Sequence, residues 1–409
     1  MNRRELLKLM ALSGLLAGTP RWIWAANPGD PAARRLLVIF LRGGADGLGI
    51  CAPLGESRYF DLRPSLALSE TTALDLDGFF GLHPAAEGLK ALFDTGELAI
   101  VHATGLVTAE RSHFEAQAAV EQGIDSAQPM LASGWLGRYV QTLDSPAALA
   151  AVAVDSALPR SMSGSSLPLA MASLDSFRLE LDETAQAALQ SVYEMDSVLG
   201  PTAQSVFDAA HIIEPLAELP AGAGYPAGDL GMALADTGRL IRGGTGLTVA
   251  AVNSGGWDHH DDQAARIEPL LTELATALLA FREDIDEFWT DTTVLVHTEF
   301  GRRAAENASG GTDHGHGSLM LVAGGGIRGG QVFGEWPGLG PDELSAGEDL
   351  AVTTDYRQVL AEILVNHMGL ADPVDVFGDW QPGAWLGLFA GAGASDATAG
   401  RAVRLARRP

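Results

Sequence analysis

The chain has 409 residues, 47% of them hydrophobic, with 49 glycines and a formal net charge of −26. That composition describes a well-packed globular protein, and such acidity excludes a nucleic-acid backbone or an anionic lipid surface as partner. Cys51 is the single cysteine, so no intrachain disulfide can form; following an apolar strand, it reads as a small buried hydrophobe.

In chain order, the first 26 residues read as an address. Arg3 and Arg4 precede an apolar run, Leu9–Leu16, and an alanine-containing exit at Ala25-Ala26. The pattern N-R-R-E-L-L-K resembles a twin-arginine export signal. It implies the twin-arginine export machinery as a partner and a periplasmic or secreted destination. An amphipathic N-terminal helix is the alternative. No other stretch is long and apolar enough to span a bilayer, so the mature chain is expected to carry no integral membrane segment.

Arg35–Leu41 is a continuous apolar run bounded by glycines, the pattern of a buried parallel strand. Helical spacing follows over Leu82–Gly96, then a second buried strand over Leu98–His102. Ser112 starts a helix through His113–Gln122, which Gly123 stops. Ala150–Val154 and Leu169–Ala172 read as short strands. Asp182–Leu199, Val206–Leu216 and Asp229–Arg242 read as helices. Leu247–Asn253 is a strand, Ile267–Phe288 a long amphipathic helix, and Thr293–His297 and Ser318–Gly324 are strands. Thr353-Thr354 is expected to cap a helix over Asp355–Met368.

Strands alternating with helices imply an α/β fold: a mostly parallel central sheet with helices on both faces and a small helical insertion. One domain is expected over residues 34–390, with residues 155–235 as a cap or insertion. Residues 391–409 read as a flexible C-terminal tail.

In open α/β sheets, ligands bind beyond the carboxyl ends of the strands. Five segments carry chemistry there: RGGADGL (Arg42–Leu48), ERSHFE (Glu110–Glu115), GGWDHHDDQ (Gly255–Gln263), HTEFGR (His297–Arg302) and GGTDHGHGS (Gly310–Ser318). Five of the 10 histidines, His113, His259, His260, His314 and His316, lie beside carboxylates and glycines, which suits metal ligation better than packing. Asp258 and His260 can reach one ion from a loop; the alternatives are a capping Asp and a surface His, with His259 replacing its neighbour. His314 and His316 point the same way if their loop is extended. Glu299 leaves a strand end as a further ligand or as a salt-bridge partner of Arg302 or Arg303. Asp46 between glycines fits a ligand or a simple turn. Ser112 reads as a metal-activated nucleophile or a helix cap. His113 beside it could orient the site or complete a metal shell. Arg111 and Arg302 could hold an anion. No serine-esterase elbow and no dinucleotide or phosphate-loop fingerprint is present.

The motifs GGADGL, RSHF, GWLGR (Gly134–Arg138), GGWDHH, TEFGR, GTDHGHG and TTDYR (Thr353–Arg357) together identify the chain as a member of an uncharacterised family of exported bacterial proteins, a domain of unknown function. That family resembles in fold the alkaline phosphatase and sulfatase superfamily. The resemblance implies an exported metal-dependent hydrolase of small anionic phosphate or sulfate esters. Its divalent metal would be zinc, with manganese or calcium as alternatives. It implies Asp46 as a first metal-binding Asp, Ser112 as nucleophile, Asp258 and His260 as a ligand pair, and His316 or His314 as the final ligand. Glu299-Phe300 departs from the superfamily's Asp-His pair, because Phe300 cannot bind metal. A non-catalytic binding or assembly protein on the same scaffold is the alternative reading.

Overall fold

The computed structural model describes residues 34–177 and 200–390, together with residues 188 and 191–193 between them. The expected export signal, the expected helix over Asp182–Leu199 and the expected C-terminal tail fall wholly or mostly outside the described residues.

Nine strands form the central sheet: β1 (Arg35–Leu41), β2 (Leu98–Gly105), β3 (Ala151–Val154), β4 (Leu169–Met171), β5 (Val249–Ser254), β6 (Thr292–Thr298), β7 (Ser318–Gly324), β8 (Gln331–Phe333) and β9 (Thr354–Asp355). Their order across the sheet is β8-β2-β7-β6-β1-β5-β3-β4, with β9 pairing beside β2. β1 sits at the centre, parallel to both β5 and β6. It is buried on both faces, and its residues alternate between two cores. Leu37, Ile39 and Leu41 face one side with α1 (Glu87–Asp94) and much of α5 (Asp229–Arg242) and α6 (Gln263–Asp284). Leu36, Val38 and Phe40 face the other side with α2 (His113–Gln122), α3 (Trp135–Gln141) and α7 (Tyr356–Asn366). An unbroken apolar strand is what burial on both faces requires.

β7 is the exception to the parallel arrangement. It runs antiparallel to both β6 and β2. The segment from Glu299 to Gly317 contains no crossover helix, so the chain returns directly and the next strand must run the other way. In consequence β7 begins at the rim where its parallel neighbours end, and the loop before it stays there.

Several boundaries differ from the sequence expectations. Leu82 belongs to a small three-stranded sheet with Cys51–Pro53 and Leu74–Asp75, and α1 starts only at Glu87. The long helix is shifted upstream to Gln263–Asp284 and contains Pro269 in its second turn, which has no N–H to donate to Ala265 O. The helix expected over Val206–Leu216 runs from Gly200 to Ile213 (α4), and a 3-10 turn, Glu214–Glu218, follows it. Thr354 lies in β9 rather than capping α7; Asp355 is the cap, accepting from Arg357 N at 3.0 Å. No described helix is long and apolar enough to cross a membrane.

Replacing Ile39 with alanine removes a wholly buried side chain at the sheet centre. The expected loss is about 2–5 kcal/mol of unfolding free energy, read as a lower midpoint in denaturant melts followed by circular dichroism.

Candidate functional site

The ends of β1, β5 and β6 and the start of β7 are tied to one another by their own backbones. Arg42 N donates to Ser254 O (2.7 Å), Trp257 N to Arg42 O (3.2 Å) and Ala45 N to Thr298 Oγ1 (2.9 Å). Gly301 N donates to His316 O and Gly315 N to Gly301 O, each at 2.9 Å, so the segment after β6 folds back on itself. The β5 exit loop is stitched to the same segment: Thr312 N donates to His259 O (3.0 Å) and Asn307 Nδ2 to His260 O (2.9 Å). Two glycines make the approach possible. Gly43 has φ +122° and a Cβ there would lie 2.6 Å from Asp258 N; a Cβ on Gly315 would lie 2.3 Å from Arg302 C. Either addition would force the loops apart.

These contacts bring three imidazoles around one carboxylate. The ligand-capable atoms of His113, Asp258 and His314 lie within 4.8 Å of one another. His260 Nε2 joins them, 3.0 Å from Asp258 Oδ1 and 2.9 Å from His314 Nε2. His314 Nε2 is 3.3 Å from Asp258 Oδ1, and His113 Nε2 is 3.5 Å from Asp258 Oδ2.

The outer nitrogens fix which ends face inward. His113 Nδ1 donates to Glu299 Oε1 (2.8 Å), His260 Nδ1 to Asp313 Oδ1 (3.1 Å) and His314 Nδ1 to the Arg111 carbonyl (2.8 Å). With Nδ1 protonated in each neutral ring, every Nε2 presents a lone pair toward Asp258. Two lone pairs facing at 2.9 Å repel, and His113 Nε2 is buried with no hydrogen-bond partner. A cation resolves both features. Holding Nδ1 on a carboxylate or a carbonyl while Nε2 faces the ion is also how metal-bound histidines are oriented. The residues fit a divalent metal.

Charge around the cluster is arranged to suit. Burial pushes the Asp258 carboxyl up, but the Arg302 guanidinium, helped by His260 and His314, overrides it and brings the pKa to about 2. Burial would likewise raise Glu299, yet the hydrogen bonds from His113 and Gln117 hold it below the usual carboxylate range. The Glu299 hydrogen bond raises His113, and burial lowers His314. Phe300 is buried and lies against both rings, with centroids 4.8 Å from His113 and 4.9 Å from His314, so it walls the site rather than ligating.

Other expected residues lie elsewhere on the rim. Asp46 is buried and its carboxylate is held by Arg63 (2.5 and 3.0 Å) and Gln263 (2.5 Å), which leaves it outside the cluster. His316 is also outside: its Nε2 donates to Leu106 O (2.7 Å), and its Nδ1 faces Ser345 Oγ at 3.4 Å. Its neighbour His314 takes the place the sequence left open between them. Arg111 directs its guanidinium to Asp349 (2.5 and 3.1 Å) and Glu348, away from the cluster. Arg302 is buried and spends its donors on Gly43, Gly44 and Thr312 carbonyls and on Asp258, so it braces the site instead of meeting an anion. Ser112 precedes α2, and its hydroxyl does not cap the helix. His259 is buried, its pKa lowered by that burial to about 4. Asp313 and Gln117 escaped the sequence reading. Adjacency to His314 marked the first, and the i, i+4 spacing from His113 the second. Arg63 gave no local signal for its partnership with Asp46.

A family model described as a protein of unknown function (DUF1501) matches residues 103–379. No curated protein matches the chain. Among solved structures, the chain is similar to the PsFucS1 sulfatase from Pseudoalteromonas sp., at 13% identity and TM-score 0.40 over 91% of this chain and 73% of that one. It is similar to the zinc complex of the C-terminal periplasmic domain of EcEptC from Escherichia coli, at 9% identity and TM-score 0.34 over 71% of this chain and 73% of that one. It is also similar to alkaline phosphatase from the Antarctic bacterium TAB5, at 11% identity and TM-score 0.29 over 71% and 91% respectively.

Protons compete with a metal for the three Nε2 atoms. Zinc affinity is therefore expected to fall as the pH drops from about 8 to about 5.5. The fall begins early at His113, whose pKa is raised. Titrations with a chromophoric chelator at both pH values measure this.

Proposed function

The chain belongs to the DUF1501 family, and from the cluster carried within its matched segment we propose that it is an exported metal-dependent hydrolase of phosphate or sulfate esters. The observation that carries the reading is the convergence of His113, His260 and His314 Nε2 on Asp258, each ring oriented by an acceptor on Nδ1. Three imidazoles and one carboxylate favour zinc over calcium, which prefers oxygen donors. When bound, the metal would supply Lewis acidity toward an ester oxygen and lower the pKa of an attacking hydroxyl.

The chain's own residues supply the rest. Ser112 precedes His113 at the start of a ten-residue helix, where free backbone N–H groups favour an anion. Because its hydroxyl is not used as a cap, it stands as the candidate nucleophile. Glu299 holds the His113 ring in place. Arg302 fixes Asp258 without touching substrate. The Arg3-Arg4 pattern supports export by the twin-arginine route in the folded state, a route that suits a protein loaded with metal beforehand.

One observation favours a second reading, a non-catalytic exported binding or assembly protein. The two arginines expected to grip an anion, Arg111 and Arg302, both bind protein groups. Elemental analysis and an ester screen separate the readings. The hydrolase reading predicts stoichiometric zinc, lost on Asp258→Ala, and turnover of aryl phosphate, phosphodiester or sulfate esters that falls by at least about 100-fold in Ser112→Ala with the metal retained. Well-folded protein with zinc and no turnover supports the second reading.

A further inference from the structure

What His113 can offer inward depends on what holds its outer nitrogen. Its Nδ1 meets Glu299 Oε1 at 2.8 Å. That works only while Glu299 stays ionised and stays in place. Gly43 N donates to it (3.0 Å), and Gln117 Nε2 donates to the same Oε1 (2.8 Å). Gln117 lies four residues after His113 on α2, so both side chains leave the same face of the helix.

A glutamine amide fits its pocket in two orientations, and the wrong one would turn its oxygen toward the Glu299 carboxylate. Arg42 decides between them. Its Nη1 donates to Gln117 Oε1 (3.2 Å), and a guanidinium has no acceptor with which to satisfy a flipped amide. Arg42 is itself clamped: Glu121 takes both terminal nitrogens (3.2 and 2.9 Å), and Nε donates to Asn253 Oδ1 (2.8 Å). A connected run of hydrogen bonds thus links Glu121, Arg42, Gln117, Glu299 and His113: Arg42 donates to Glu121 on one side and to Gln117 on the other, and Glu299 accepts from both Gln117 and His113.

We propose that Gln117 and Arg42 are positioning residues of the cation site. They set the Glu299 carboxylate as an acceptor, and through it the His113 tautomer that turns a lone pair inward. Neither is among the ligand-capable residues of the cluster. This rests on the reading of the cluster as a metal site.

Cobalt(II) titration of the metal-free full-length protein, followed by d–d absorption, tests it without reference to turnover. Gln117→Leu is expected to weaken cobalt binding about 10-fold, the size seen when partners behind a metal-bound imidazole are lost. Far-UV circular dichroism and the melting temperature of the metal-free form should stay unchanged. Arg42→Lys should weaken binding in the same direction, and the double variant should be no weaker than Gln117→Leu alone, because Arg42 acts through that amide. Single variants within about a factor of two of wild type, or penalties that simply add, overturn the proposal. If Gln117→Leu destabilises the metal-free fold, Arg42→Lys decides alone, since it keeps a cation beside Glu121; unchanged cobalt affinity then overturns the proposal. Wild-type protein that takes up no cobalt instead defeats the metal reading itself, a separate outcome.

Discussion

Arg302 has 1% of its surface exposed, and all three of its guanidinium nitrogens donate to the loops of the rim. Nε reaches Gly44 O at 2.6 Å and Nη1 reaches Thr312 O at 2.9 Å, while Nη2 serves Gly43 O and, at 2.5 Å, Asp258 Oδ1. One buried cation therefore joins the exit of β1, the exit of β5 and the loop before β7. The carbonyls replace the water that a guanidinium loses on burial, and Asp258 balances part of the charge. That brace adds to the backbone contacts between the loops and sets His260 and His314 beside Asp258, while His113 reaches the same carboxylate from α2.

The same arrangement sets the electrostatics. Arg302 engages Asp258 through Oδ1, while Oδ2 is the oxygen that faces His113. Asp258, Glu299 and Asp313 contribute three negative charges against the single positive charge of Arg302. A divalent ion would cancel that local excess inside a chain whose formal net charge is −26. Asp46 adds nothing to the balance, because Arg63 neutralises it in place.

Much of this was legible in the residues, and the physics explains where legibility stopped. Arg35–Leu41, Asp229–Arg242 and Ser318–Gly324 were read to the residue because long runs of one period, closed by glycine or polar breaks, leave little choice. The rim location of the motifs followed from strand ends. The choice among neighbouring histidines did not. Two residues apart, His314 and His316 would share a face if their segment were extended, but the chain bends at His316, and the two rings take different carbonyls, Arg111 O for one and Leu106 O for the other. Asp46 misled for a related reason: its partner Arg63 sits in a segment with no motif, and an ion pair of that kind has no periodic signature. Very short strands such as Gln331–Phe333 and Thr354–Asp355 exist only because β2 offers them an edge.

On this reading His113, His260, His314 and Asp258 would together enclose one metal ion. Anomalous scattering from crystals of the full chain grown with zinc, measured on either side of the zinc absorption edge, tests it most directly. A single strong peak is expected about 2.0–2.1 Å from the three Nε2 atoms and about 2.0–2.2 Å from an Asp258 oxygen. A peak bound elsewhere on the rim, or a refined cluster in which His260 and His314 stay in contact through a proton with no ion between them, would contradict it.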